Sequence, residues 1–142
     1  MPTYSKPLVI LVVEDDEDDR ELLQIAFNEG DYKGELFFAN DGEHAWQLLN
    51  DGSVEPSLLL LDINMPRLNG MELLEKLKST LRFKALPVLM FTTSSNEGMV
   101  RKAYELGANS YVVKPQNFQR LSEIWDQVYS YWTQMIQLPS RD

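Results

Sequence analysis

The chain has no cysteine. That excludes a disulfide framework and a thiolate-held metal, and it fits a reducing cytoplasm. Its one histidine, His44, falls in a helical pattern away from the strand ends and reads as a solvated side chain, not a metal ligand or phosphohistidine. Long apolar runs are missing, so nothing is expected to span a membrane. The first run, Leu8–Val13, is too short for a signal-peptide core and meets six consecutive acids, Glu14 to Asp19. Positive charge is scarce. Thirteen Lys and Arg against 22 Asp and Glu leave a net charge of −9, which disfavours contact with nucleic-acid phosphates or anionic lipid and points to a protein partner. No repeat, low-complexity tract or interdomain linker breaks the 142 residues, and 44% hydrophobic with 25% charged residues is the composition of one globular domain.

Four apolar runs are present, and each stops at a polar residue able to hold or charge a phosphate. Leu8–Val13 runs into Glu14-Asp15, Leu58–Leu61 into Asp62, Pro87–Phe91 into Thr92-Thr93, and Tyr111–Val113 into Lys114-Pro115. Short, continuously apolar, bounded runs fit strands buried on both faces of a parallel sheet. Ligands of such a sheet gather beyond the carboxyl ends of its strands. Amphipathic patterns at 16–28, 43–50, 71–77, 99–106 and 118–136 alternate with the runs, and 35–39 supplies a further strand. The order βα repeated five times predicts right-handed crossovers and an α/β fold.

In register on one sheet edge, Glu14-Asp15, Asp62-Ile63-Asn64-Met65-Pro66, Thr92 and Lys114-Pro115 resemble the motifs of a response-regulator receiver domain. The resemblance covers nearly the whole chain. It implies a flavodoxin-like, doubly wound, five-stranded parallel sheet of order 2-1-3-4-5 with five helices, in a single receiver domain over 1–142 (core about 7–137) without an output domain. The ending Trp132 to Leu138-Pro139 and the loop Thr92 to Glu97 resemble the stand-alone receivers of bacterial phytochrome kinases. The implied function is a cytoplasmic, two-component phosphorelay switch and not an enzyme. Its partners would be a sensor histidine kinase, phytochrome-like or otherwise, and a histidine phosphotransfer protein.

The chemistry follows from the residues. Asp62 at an exposed strand end can act as a carboxylate nucleophile and form an acyl phosphate. Carboxylates of Asp15 and Asp62 about 4 Å apart would repel by about 4 kcal/mol at an effective dielectric of about 20, a penalty that a hard divalent cation removes. Mg²⁺ suits such a site, with Mn²⁺ as the alternative. The resemblance assigns Asp15 and Asp62 as direct ligands, Asn64 through its backbone carbonyl, and Glu14 through water. It implies that Lys114 pairs with the acceptor and then with the phosphoryl oxygens, to which Thr92 donates its hydroxyl. Tyr111 would be the aromatic that swings inward when Thr92 moves. Thr93 stands where the family has a smaller residue and would modulate access, and Pro115 is a candidate for a cis peptide bond.

Plainer roles compete for some of these residues. Asp16 reads as the N-cap of the first helix, with Glu17, Asp18 and Asp19 favouring its positive end. Gly70 reads as a backbone requirement at the start of the third helix. In the last helix, Phe118, Leu121, Trp125, Val128, Trp132 and Met135 form one stripe, with Ile124, Tyr131 and Leu138 beside it. About twenty helical residues span about 30 Å, longer than the strands, so Trp125, Tyr131, Trp132 and Met135 are expected to carry a homodimer. Two other functions stay open. A Mg²⁺-dependent aspartyl-phosphate phosphohydrolase would want an acid where Asn64 stands and room for a cap. A receiver-like interaction module would never take up phosphate.

Overall fold

Leu8–Val13, Leu58–Leu61 and Val88–Thr92 are covered from both sides, as sequences that are apolar throughout, or up to the final Thr92, require. The computed structural model describes residues 7–65, 68–135 and 137. Strands β1 (Leu8–Val13), β2 (Gly34–Ala39), β3 (Leu58–Leu61), β4 (Val88–Thr92) and β5 (Ser110–Val113) alternate with helices α1 (Glu17–Glu29), α2 (Gly42–Asn50), α3 (Gly70–Lys78), α4 (Glu97–Glu105) and α5 (Phe118–Ser130). The sheet is parallel, in order β2-β1-β3-β4-β5. Among the described residues, no helix is long and apolar enough to cross a membrane.

Alternation along the strands divides the core in two. Leu11, Val13, Leu59, Leu61, Val88 and Met90 pack with Leu49, Leu73, Leu74 and Leu77 of α2 and α3. Ile10, Val12, Leu58, Leu60 and Leu89 pack with Leu23, Phe27 and Trp125 of α1 and α5. The Trp125 indole N–H donates to the Leu23 carbonyl at 3.1 Å, so its polar edge is satisfied inside the core. Side chains cap the helices, Asp16 in its expected role. Asp16 accepts from the amides of Asp18 and Asp19, and Asn69 and Glu72 form a reciprocal capping box that fixes the start of α3.

The last helix departs from expectation. The α-helix closes at Ser130 after 13 residues, and a π-helical turn, Tyr131–Met135, follows. Thirteen residues rise about 20 Å, shorter than the about 30 Å expected of one α-helix through the whole stripe. Trp125 is 2% exposed and Trp132 7%, and both belong to the cluster that holds Leu8, Ile10 and Leu36. These two dimer candidates are therefore core residues. Tyr131, at 47% exposure, is the one open aromatic among them. The Met135 side chain, Ile136, Leu138 and Pro139 lie outside the described residues, as does Pro66 of the third motif.

Candidate functional site

Backbone pairing continues one residue past the strand ends and lines up the polar residues. The Glu14 amide donates to Ala39 O at 3.0 Å, Asp62 N–H to Val13 O at 3.1 Å, and Lys114 N–H to Thr92 O at 2.8 Å. Behind Asp62, Gly70 brings the first turn of α3 against the Asp62 backbone. A Cβ at position 70 would overlap the Asp62 carbonyl oxygen, so the close approach requires glycine. Arg20 donates to Glu14 O at 2.8 Å and ties α1 back onto the loop that carries Glu14 and Asp15.

The carboxylates converge. Oxygens of Glu14, Asp15 and Asp62 lie within 4.8 Å of one another. At that separation each ionised pair costs about 3 kcal/mol at an effective dielectric of about 20. Glu14 and Asp62 are buried, at 2% and 6% exposure, whereas Asp15 is exposed. Burial, reinforced by the Asp62 charge, pushes the Glu14 carboxyl up to about 7 despite its bond to Lys114. The Lys114 ammonium stands 2.6 Å from Glu14 Oε1, 2.9 Å from Asp19 Oδ2 and 3.5 Å from Asp62 Oδ2. Burial alone would lower its pKa, but hydrogen bonds to Glu14 and Asp19 and the Asp62 charge raise it above the usual lysine range. One ammonium thus faces several acids. The donor set is hard, anionic and under-compensated, which fits a small divalent cation.

Thr92, the last residue of β4, is fully buried, and among the described residues its hydroxyl has no hydrogen-bond partner. A buried polar atom of that kind costs free energy unless something arrives to bond it. Tyr111 is half-buried on β5 beside Met90, and its hydroxyl donates to Ser94 O at 2.8 Å in the loop after β4. Thr93 and Asn64 are exposed at the rim.

Two expectations change here. The Lys114–Pro115 peptide is trans, since no peptide bond among the described residues is cis. Trans is the lower-energy isomer of an X–Pro bond by about 0.5–1 kcal/mol, and Lys114 reaches its partners from it. Asp19 does more than favour the helix end, because it also pairs with Lys114. The sequence hides this, since an acid in a first helical turn is explained by the dipole alone. His44 is half-buried, and its Nδ1 accepts from the Asn40 amide at 3.0 Å.

A family model for the response regulator receiver domain matches residues 10–126. Response regulator Rcp1 of Synechocystis sp. is 35% identical over 141 residues, covering 96% of both chains. The crystal structure of the Mn²⁺-bound form of Rcp1 superposes with a TM-score of 0.85 over 94% of this chain and 100% of that one, at 35% identity. The phosphorylated cyanobacterial phytochrome response regulator RcpA gives a TM-score of 0.88 at 31% identity, over 95% of this chain and 100% of that one.

Proposed function

The chain belongs to the response regulator receiver domain family, and from that premise we propose that it is a phosphorylation switch whose acceptor is Asp62. The observation that carries this reading is a set of three groups at the ends of the neighbouring strands β3, β4 and β5. They are a buried carboxylate at Asp62, the Lys114 ammonium 3.5 Å away, and the unpartnered Thr92 hydroxyl. A carboxylate oxygen of Asp62 attacks the phosphorus of a phosphohistidine, the P–N bond breaks, and the imidazole leaves with the electron pair and takes up a proton. Positioning and charge neutralisation supply most of the catalysis in such a transfer.

Glu14, Asp15, Asp62 and the Asn64 backbone carbonyl would hold Mg²⁺ or Mn²⁺, which when bound offsets the negative charge gathered on the carboxylates and the phosphoryl oxygens. Rcp1, a relative of matching length, has been solved with Mn²⁺. Lys114 moves from its carboxylate partners toward the phosphoryl group, and Thr92 donates its hydroxyl there. That movement reshapes the loop after β4, where Ser94 holds the Tyr111 hydroxyl. The change reaches the surface of α4 and β5 and alters protein contacts, so a local charge event becomes a signal. Thr93 and Asn64 at the rim govern access to Asp62. A sensor histidine kinase is the donor, and the likeness to RcpA favours one of the phytochrome kind. A histidine phosphotransfer protein offers the same phosphohistidine, all within the cytoplasm. Self-association would run through Tyr131.

Incubation with acetyl phosphate and Mg²⁺, followed by intact mass, tests the reading. Wild type gains one phosphoryl group and Asp62→Asn gains none. Steady phosphate release without an adduct would instead favour a hydrolase. Absence of both would leave an interaction module.

A further inference from the structure

Among the described residues Lys114 is the cation that pairs with the acids of the site, and its nearest partners are not the acceptor. An ammonium offers three N–H donors. Here they face Glu14 at 2.6 Å, Asp19 at 2.9 Å and Asp62 at 3.5 Å. Glu14 and Asp62 belong to the converging acid cluster, whereas Asp19 stands outside it. Asp19 reaches Lys114 because of where α1 begins. The Asp16 carboxylate caps the helix, the Asp19 amide donates to it at 3.3 Å, and the third helical residue is thereby turned toward the end of β5. Glu17 and Asp18 already supply negative charge to that first turn, so the dipole does not single out Asp19. The pair also walls a cavity of about 230 Å³ that Leu22, Phe91, Pro115 and Phe118 line.

Resting on the reading of Asp62 as acceptor, we propose that Asp19 is a positioning residue. It holds the Lys114 ammonium beside Asp62 and competes for it with a phosphoryl group on that carboxylate. A phosphoryl group brings nearly two negative charges and three acceptor oxygens, and charge-assisted bonds to it draw the ammonium across. Asp19 opposes the movement twice, by accepting the same N–H and by placing a like charge near the phosphoryl oxygens. Its carboxylate is 37% exposed, so the pair contributes little to fold stability and its removal leaves the domain intact. Loss of the Asp19 charge therefore strengthens the hold on a phosphoryl group, opposite to what damage to the site would do.

Beryllofluoride, which mimics the phosphoryl group on a carboxylate, tests this by titration into wild type, Asp19→Asn and Asp19→Glu at fixed Mg²⁺, read by tryptophan fluorescence. Asp19→Asn should bind about fivefold more tightly than wild type, and Asp19→Glu should return to wild-type affinity. Mg²⁺ alone should bind Asp19→Asn no more tightly than wild type, because losing an acid cannot favour a cation. Equal or weaker beryllofluoride binding by Asp19→Asn, with wild type binding normally, overturns the role of Asp19 and leaves the acceptor reading standing. Failure of wild type itself to bind beryllofluoride overturns both.

Discussion

Replacing Thr92 by Val should make the resting protein more stable and the switch worse. The Thr92 side chain is fully buried, and its hydroxyl has no partner among the described residues. Valine keeps nearly the same shape and puts a methyl where the unsatisfied oxygen stood. A buried polar group without a bond costs about 1–3 kcal/mol, so Thr92→Val should gain stability toward the lower part of that range. For a domain of this size the gain raises Tm by about 3–4 °C for each kcal/mol. In the proposed switch the same hydroxyl would donate to a phosphoryl oxygen, and a hydrogen bond to a charged group contributes about 1.5–3 kcal/mol. Beryllofluoride affinity in Mg²⁺ should therefore fall by about 10- to 100-fold. Urea unfolding without ligand and a beryllofluoride titration read the two effects separately. Thr92→Val that is less stable than wild type, or that binds beryllofluoride equally well, would refute the idea that this hydroxyl is held in reserve.

Other outcomes can be checked alongside. The Glu14 carboxyl titrates near pH 7 in the folded protein against 4.5 otherwise, so the folded state binds the extra proton within that window. Its contribution to stability is full below the window and is lost as pH rises through it, by up to about 3 kcal/mol. Urea midpoints of the metal-free protein should show this loss, and Glu14→Gln should flatten it; parallel pH profiles would contradict the assignment. Trp132→Ala should destabilise the fold by about 3–5 kcal/mol as a core truncation, whereas Tyr131→Ala should stay within about 0.5 kcal/mol. Equal small effects would mean that Trp132 is a surface residue after all. Asp15→Asn should weaken Mg²⁺ binding and raise metal-free stability by relieving carboxylate crowding, as calorimetry and urea unfolding would show.

The strands and the site were legible for one reason. A parallel strand buried on both faces must be an unbroken apolar run, so its end is visible as the first polar residue. Glu14, Asp62 and Thr92 announce themselves in that way, whereas Lys114 follows the part-buried edge strand β5, whose short apolar run is visible all the same. Backbone bonds past the strand ends line these residues up. Helix periodicity was less informative about where a helix stops. The stripe through Trp125 and Trp132 continues smoothly in sequence, and nothing in it marks the change to a π-helical turn after Ser130. Phe83 was hidden differently. It sits in the loop between α3 and β4 yet is 1% exposed, edge-on to Trp46. Loops carry no period from which burial could be read. The Asp19–Lys114 pair joins residues far apart in the chain, and only the fold makes them neighbours.

Borohydride trapping tests the central claim most directly. The phosphorylated protein is treated with borohydride, which reduces an acyl phosphate to an alcohol as phosphate leaves, and peptide mass spectrometry then locates the altered residue. Homoserine at position 62 and at no other acid, dependent on Mg²⁺ during phosphorylation, is the predicted result. Label at Asp15, Glu14 or any other residue, with position 62 unmodified, would contradict the assignment of Asp62 as the phosphoryl acceptor.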